Sequence, residues 1–213
     1  GNSVKVNNTK IVETSKSIFE EVSGSLPSRI LKHLYLGSLN HAESLIMLNK
    51  LGIEYIVSVG ENVNWIEKFK YNKNIKDNGN IEYEFNDKNL NIKKLLIINE
   101  LSDDGMSTIT LSLKNSLELI NECYEKDSKI LVHCQVGVSR SATVCICEVM
   151  KRLNLSICRA YLFVRVRRLN VIIQPNLKLM YELNKWEENF NKREVEWYVL
   201  CREIYNLNRS YIK

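Results

Sequence analysis

An apolar run that stops on a cysteine and restarts as a helix constrains this chain more than any other feature. Residues 129–134, KILVHC, have the length of a buried strand, and the next residues, QVGVSRSATV, lead into a helical pattern. Ala142, Cys145, Ile146 and Val149 share one helical face, the spacing expected of a helix laid on a core. A strand that feeds a helix through a short loop is the building unit of α/β folds. In such sheets, ligands bind beyond the carboxyl ends of the strands, and Cys134 stands at such an end.

The rest of the chain repeats the alternation. RILKHLYLGS reads as a strand or hairpin ending at Gly37. NHAESLIMLNKLG reads as a helix stopped by Gly52, and IEYIVSVG as a buried strand. Residues 61–91 turn polar and irregular around an Asp77-Asn78-Gly79 turn signal, which predicts a surface excursion with one short strand at IEYEF. IKKLLIINEL is the next strand. Leu113, Leu117, Ile120 and Tyr124 then mark a helix, and further helices are predicted near 156–168 and 175–190. The expected fold is α/β: a single mixed, mostly parallel sheet flanked by helices. Residues 1–25 form an N-terminal arm, 26–190 the catalytic domain, and 191–213 a C-terminal helical extension whose stripe of Trp197, Leu200 and Ile204 suits the core or a partner, a second copy included.

Composition narrows the class. A chain of 213 residues can bury one substantial core. No apolar run approaches the roughly 18 residues of a membrane span, and the first residues carry neither a signal-peptide core nor a myristoylation pattern. The net charge of +5 suits an anionic ligand without requiring nucleic acid. The six cysteines, at 123, 134, 145, 147, 158 and 201, include no Cys-x-x-Cys pair. That excludes a zinc site and a disulfide framework, so reduced thiols and a cytoplasmic or nuclear location are expected, with no metal or other cofactor.

The residues after Cys134 suggest why the strand ends there. A loop entering a helix can turn its backbone N–H groups inward and make an anion cradle over the helix N-terminus. Gly137 permits tight curvature, and Arg140 adds a planar two-pronged donor matched to phosphate oxygens. The same field favours ionisation of the Cys134 thiol, which titrates near 8.5 when free and at roughly 3.5–7.5 beside a helix N-terminus and a cation. A thiolate beneath a bound phosphate is arranged for phosphoryl transfer to sulfur. The plainer alternative is a structural cysteine buried at a strand end.

HCQVGVSRSATV resembles the active-site loop of the cysteine-dependent protein phosphatases of the dual-specificity class. The likeness extends to LYLGSLNHAES, LGIEYIVSVG and AYLFVRVRRLNVIIQPN, about residues 28–190 in all. The last segment resembles, more narrowly, a fungal branch whose catalytic domain ends a much longer chain. The resemblance implies hydrolysis of phosphotyrosine and phosphoserine/threonine in a phosphorylated protein substrate. Cys134 would be the nucleophile, Arg140 the phosphate binder, and Gln135, Val136, Gly137, Val138 and Ser139 the rest of the cradle. Ser141 would assist the departing thiolate, or simply cap the helix. His133 would shape the loop. The general acid would come from NELSDDGMST. Spacing to Ile109 favours Asp103, with Asp104 as the alternative and helix capping as the plainer role for both. Arg165 would receive a second phosphate, unless it belongs to a solvated basic face.

The loop interior carries no lysine, which argues for phosphoprotein over phosphoinositide. Action on RNA 5′ ends or phosphoinositides, and a catalytically silent phosphate-binding module, are the rival readings. The sequence departs from the family in the long 61–91 excursion, in a slightly extended stretch between Arg168 and Pro175, and in the added 191–213 segment.

Overall fold

The computed structural model describes residues 26–76, 79–98, 106–135, 140–168 and 206. Within these, short strand β1 (Ser28–Arg29) turns antiparallel into β2 (Leu34–Ser38). Helices α1 (Leu39–Glu43) and α2 (Leu45–Leu51) follow, then β3 (Tyr55–Val59) and a 3-10 turn at Ile66–Lys68. Strands β4 (Tyr71–Ile75), β5 (Ile81–Phe85) and β6 (Lys94–Ile98) precede the long helix α3 (Met106–Glu125). Strand β7 (Ile130–Cys134) then leads to α4 (Arg140–Leu153) and α5 (Ile157–Arg167).

The seven strands form one sheet in the order β1-β2-β7-β3-β6-β5-β4. The central four, β2, β7, β3 and β6, run parallel, while β1 pairs antiparallel with β2 on one side, and on the other β5 pairs antiparallel with β6 and β4 with β5. Parallel strands covered on both faces read as continuous apolar runs, and every residue of β3 and β7 is buried.

Side chains alternate across a strand, and the alternation sorts the core into two layers. Leu34 and Leu36, Tyr55, Val57 and Val59, Leu96 and Ile98, and Ile130, Val132 and Cys134 point to one face, where Leu113, Leu117 and Ile120 of α3 and Val144, Cys145 and Val149 of α4 cover them. Tyr35, Ile56, Tyr83, Leu95 and Leu131 point to the other, under Ala42, Leu48 and Trp65. Trp65 is fixed there by its indole N–H, which donates to the Ala42 carbonyl at 2.9 Å. Helix α4 is further anchored by Glu148, wholly buried, which accepts from Arg152 Nε at 2.9 Å and lies 3.3 Å from His33 Nε2.

The single helix expected over NHAESLIMLNKLG is two. Ser44, with ψ at 87°, breaks the helical path, and its hydroxyl accepts from the Met47 N–H at the start of α2. Gly52 stops α2 in the left-handed conformation, φ 73°, that glycine adopts without cost. The 61–91 excursion is also more regular than expected. It adds the hairpin β4–β5 to the edge of the sheet, closed by the Lys76 N–H donating to Asn80 O at 2.7 Å. The N-terminal arm, the helix expected near 175–190 and the 191–213 extension lie outside the described residues, save for exposed Asn206.

Candidate active site

Because the central strands run parallel, their carboxyl ends meet along one edge of the sheet, and the chemistry collects there. Cys134, the last residue of β7, stands in register with Ser38, the last residue of β2. The turn from β2 into α1 grips the beginning of the loop: the Leu39 N–H donates to Gln135 O at 3.2 Å. The Ser38 N–H in turn donates to His41 Nδ1 at 3.0 Å. A side chain at residue 37 would not fit, since a Cβ on Gly37 would lie 2.6 Å from His41 Nδ1. Exposed Gln135 begins the bend beyond β7, and Arg140 opens α4. Val136, Gly137, Val138 and Ser139, between them, lie outside the described residues.

Helix α4 therefore starts beside the Cys134 sulfur, with the positive end of its dipole toward it. Cys134 is 4% exposed, and its Sγ lies 3.0 Å from the Oγ of Ser141, the second residue of α4. A hydroxyl donating to sulfur favours the thiolate. Arg140 remains partly exposed, and its Nη2 lies 3.8 Å from Glu61 Oε1. An exposed pair of that kind is worth at most about 1 kcal/mol, a contact a phosphate dianion can displace.

For the other buried thiols burial outweighs any favourable neighbour, including the Ser128 hydroxyl beside Cys123. Burial drives Cys145 and Cys147 far above the ordinary thiol range and pushes Cys123 up to about 12. They pack α3 and α4 into the core as neutral groups.

His133 faces away from the sulfur, into the opposite layer. Its Nε2 lies 2.6 Å from the Oγ of Ser58, its partner in register on β3, and its Nδ1 lies 3.4 Å from Cys134 O. A carbonyl can only accept, so Nδ1 carries the proton and Nε2 accepts from the Ser58 hydroxyl. The imidazole is neutral, and burial lowers its pKa from 6.5 to about 4. It thus ties β3 to the base of the loop.

The sign of that shift gives a prediction. The unfolded chain binds a proton at residue 133 near pH 6.5, whereas the folded chain does so only near pH 4. The stability it contributes is present above pH 6.5 and is lost as pH falls toward 4, by about 3 kcal/mol in full. Urea unfolding at pH 7.5 and 4.5 should show a steeper acid loss in wild type than in His133→Gln. Parallel losses would contradict the assignment.

The remaining expected residues are placed as follows. Asp103 and Asp104 lie outside the described residues, in the link between β6, whose carboxyl end shares the Cys134 edge, and α3. Arg165 is 5% exposed, with its guanidinium 5.9 Å from the centre of the Tyr161 ring, whereas Arg159 and Arg167 are the exposed arginines of α5. Ser58 and Glu61 were not singled out from sequence. A lone serine inside the apolar run YIVSV was the available signal for the first. The described residues hold no group of three or more His, Cys, Asp or Glu able to bind a metal, and no helix among them is long and apolar enough to cross a membrane.

The structure thus brings a buried sulfur at a strand end, the start of a helix and a hydroxyl together, with an arginine six residues on in sequence. Residues 34–189 match the family model for the dual specificity phosphatase catalytic domain, and the chain belongs to that family.

Among its relatives is the dual specificity protein phosphatase PPS1 of Saccharomyces cerevisiae, 40% identical over 232 residues, which cover 92% of this chain and 29% of that protein. Human dual specificity protein phosphatase 9 is 34% identical over 80% of this chain and 38% of its own length. The chain thus spans well under half of these relatives. In structure it is similar to the human tyrosine phosphatase-like serine/threonine/tyrosine-interacting protein, with TM-score 0.56 and 25% identity over 77% of this chain and 97% of that one. It is also similar to a leucine rich repeat and phosphatase domain containing protein from Entamoeba histolytica, with TM-score 0.59 and 18% identity over 80% of this chain and 96% of that one.

Proposed function

We propose that this chain hydrolyses phosphotyrosine and phosphoserine/threonine in protein substrates through a phosphocysteine intermediate. The observation that carries the proposal is the Cys134 sulfur held 3.0 Å from the Ser141 hydroxyl at the start of α4, with Arg140 as the first residue of that helix. In the first step the Cys134 thiolate attacks phosphorus. The S–P bond forms, the P–O bond to the substrate breaks, and Asp103 delivers a proton to the departing oxygen. Arg140 and the loop N–H groups hold the three non-bridging oxygens, whose charge persists through the transfer. In the second step water attacks phosphorus, Asp103 takes its proton, and the sulfur leaves as a thiolate receiving a hydrogen bond from Ser141.

The uncharged loop interior, Gln135 to Val138, supports a phosphoprotein over a more anionic lipid headgroup. In this reading the protein works where thiols stay reduced, in the cytoplasm or nucleus, and residues 191–213 contact a partner or a second copy. The test is a substrate panel of matched phosphotyrosine and phosphothreonine peptides, a 5′-triphosphate RNA and phosphoinositide vesicles. Release of phosphate from both peptides is expected. Activity confined to RNA or lipid, or a stable phosphopeptide complex with no product, would overturn the proposal.

A further inference from the structure

We propose that Glu61 sets the charge preference of the site, favouring a phosphopeptide with a basic side chain beside its phosphorylated residue and disfavouring an acidic one. The proposal rests on Cys134 and Arg140 forming the phosphate site.

Glu61 stands where a substrate has to lie. Strand β3 runs between β7 and β6 in the sheet, and the three are parallel, so they end on the edge that carries Cys134. The turn that leaves β3 therefore sits between the loop after β7 and the link after β6, where Asp103 and Asp104 fall in sequence. A substrate whose phosphorus reaches Cys134, and whose leaving oxygen meets an acid from that link, crosses this turn.

The turn is anchored on both sides of Glu61. Gly60 takes the left-handed conformation, φ 71°, and its N–H donates to Ile98 O at the end of β6, 2.9 Å away. Beyond Glu61, Val63 and Trp65 are buried, and the Asn64 N–H donates to Glu43 Oε2 at 3.1 Å. The carboxylate is thereby kept at the mouth of the site, with its Oε1 3.8 Å from Arg140 Nη2. Its side chain is 25% exposed, so it can be reached from solvent.

Substrate binding changes the company of that carboxylate. In the free protein the charges of Glu61 and Arg140 offset one another. A phosphate monoester brings nearly two negative charges and draws the guanidinium to its own oxygens. It then lies one side chain away from a carboxylate whose cation it has taken. A basic residue on the substrate removes the imbalance by pairing with Glu61, and an acidic one adds to it. Selection of this kind works through repulsion as much as through attraction. Inorganic phosphate carries no such cation, so the same repulsion favours release of the product.

The test is kcat/KM at low salt on phosphotyrosine peptides that differ only in the residues beside the phosphotyrosine, either lysine or glutamate. It is joined to the Ki of inorganic phosphate, and both are measured for wild type, E61Q and E61K. Wild type should favour the lysine peptide by about fivefold, the reach of one exposed charge pair, and the preference should fade in about 0.5 M salt. E61Q should treat the two peptides nearly alike and bind phosphate about fivefold more tightly, and E61K should invert the preference. A wild type indifferent to the exchange of lysine for glutamate overturns the proposal without recourse to a variant. A preference that E61Q and E61K leave in place, or a Ki that E61Q does not lower, overturns the role of Glu61 while leaving the phosphatase intact. Release of phosphate from neither peptide overturns the phosphatase reading itself, and the proposal with it.

Discussion

Cys134→Ser should abolish turnover of an aryl phosphate, by on the order of 10⁴-fold or more, the scale on which enzymes lose activity with their nucleophile. The variant should still bind tungstate or vanadate. The two halves of the result come from different parts of the site. The oxygen of serine replaces sulfur at nearly the same size, so the turn that begins at Gln135, the α4 N-terminus and Arg140 keep their places around the anion. A hydroxyl, however, stays protonated in a field that ionises a thiol, and attack stops. The same substitution at Cys145 or Cys147 should leave the chemistry alone, since those thiols are buried in the helix layer as neutral groups. Near-normal turnover in Cys134→Ser, or loss of anion binding together with activity in a folded protein, would contradict the mechanism.

Asp103→Asn should lower kcat by about 10²- to 10⁴-fold on a phosphopeptide, the usual worth of a positioned general acid. The loss should shrink when the leaving group is a good one, such as a nitrophenolate, because that oxygen departs without a proton. The pH profile provides the second signature. Wild-type activity should fall at high pH as the acid ionises, and the asparagine variant should lose that limb. Asp104→Asn serves as the control, with a small effect and an unchanged profile. If the two aspartates exchange behaviour, the acid is Asp104; if both variants keep the wild-type profile, the acid is not in the link between β6 and α3.

How far these features could be read in advance depended on the kind of residue involved. Strands β3 and β7 were legible because both faces are covered, so their runs are apolar apart from Ser58 and His133. Strand β4 was not legible. Asn72, Lys73 and Asn74 are exposed at the edge of the sheet, where no alternating pattern is imposed, and its pairing with β5 makes it a strand. The break at Ser44 was legible in principle, since a serine that caps a helix competes with the helix running through it. At the candidate site, Cys134 and Arg140 stood out by their spacing along one loop and Ser141 by the family resemblance, and the structure sets the Cys134 sulfur beside the Ser141 hydroxyl. Ser58 did not stand out, because its meaning lies in a cross-strand register with His133. The burial of Arg168 was hidden for the opposite reason: an arginine in a basic run predicts solvent, but its side chain turns inward to Ser28 Oγ.

The most direct test of the central claim is to catch the covalent intermediate. Wild-type protein is mixed with a ³²P-labelled phosphotyrosine peptide, quenched in acid within the first turnovers, digested and mapped. The mechanism predicts one phosphoryl group on the peptide carrying Cys134, absent from Cys134→Ser and discharged on a longer incubation before quenching. Steady release of phosphate with no label on any cysteine, or with label on a cysteine other than Cys134, would contradict it.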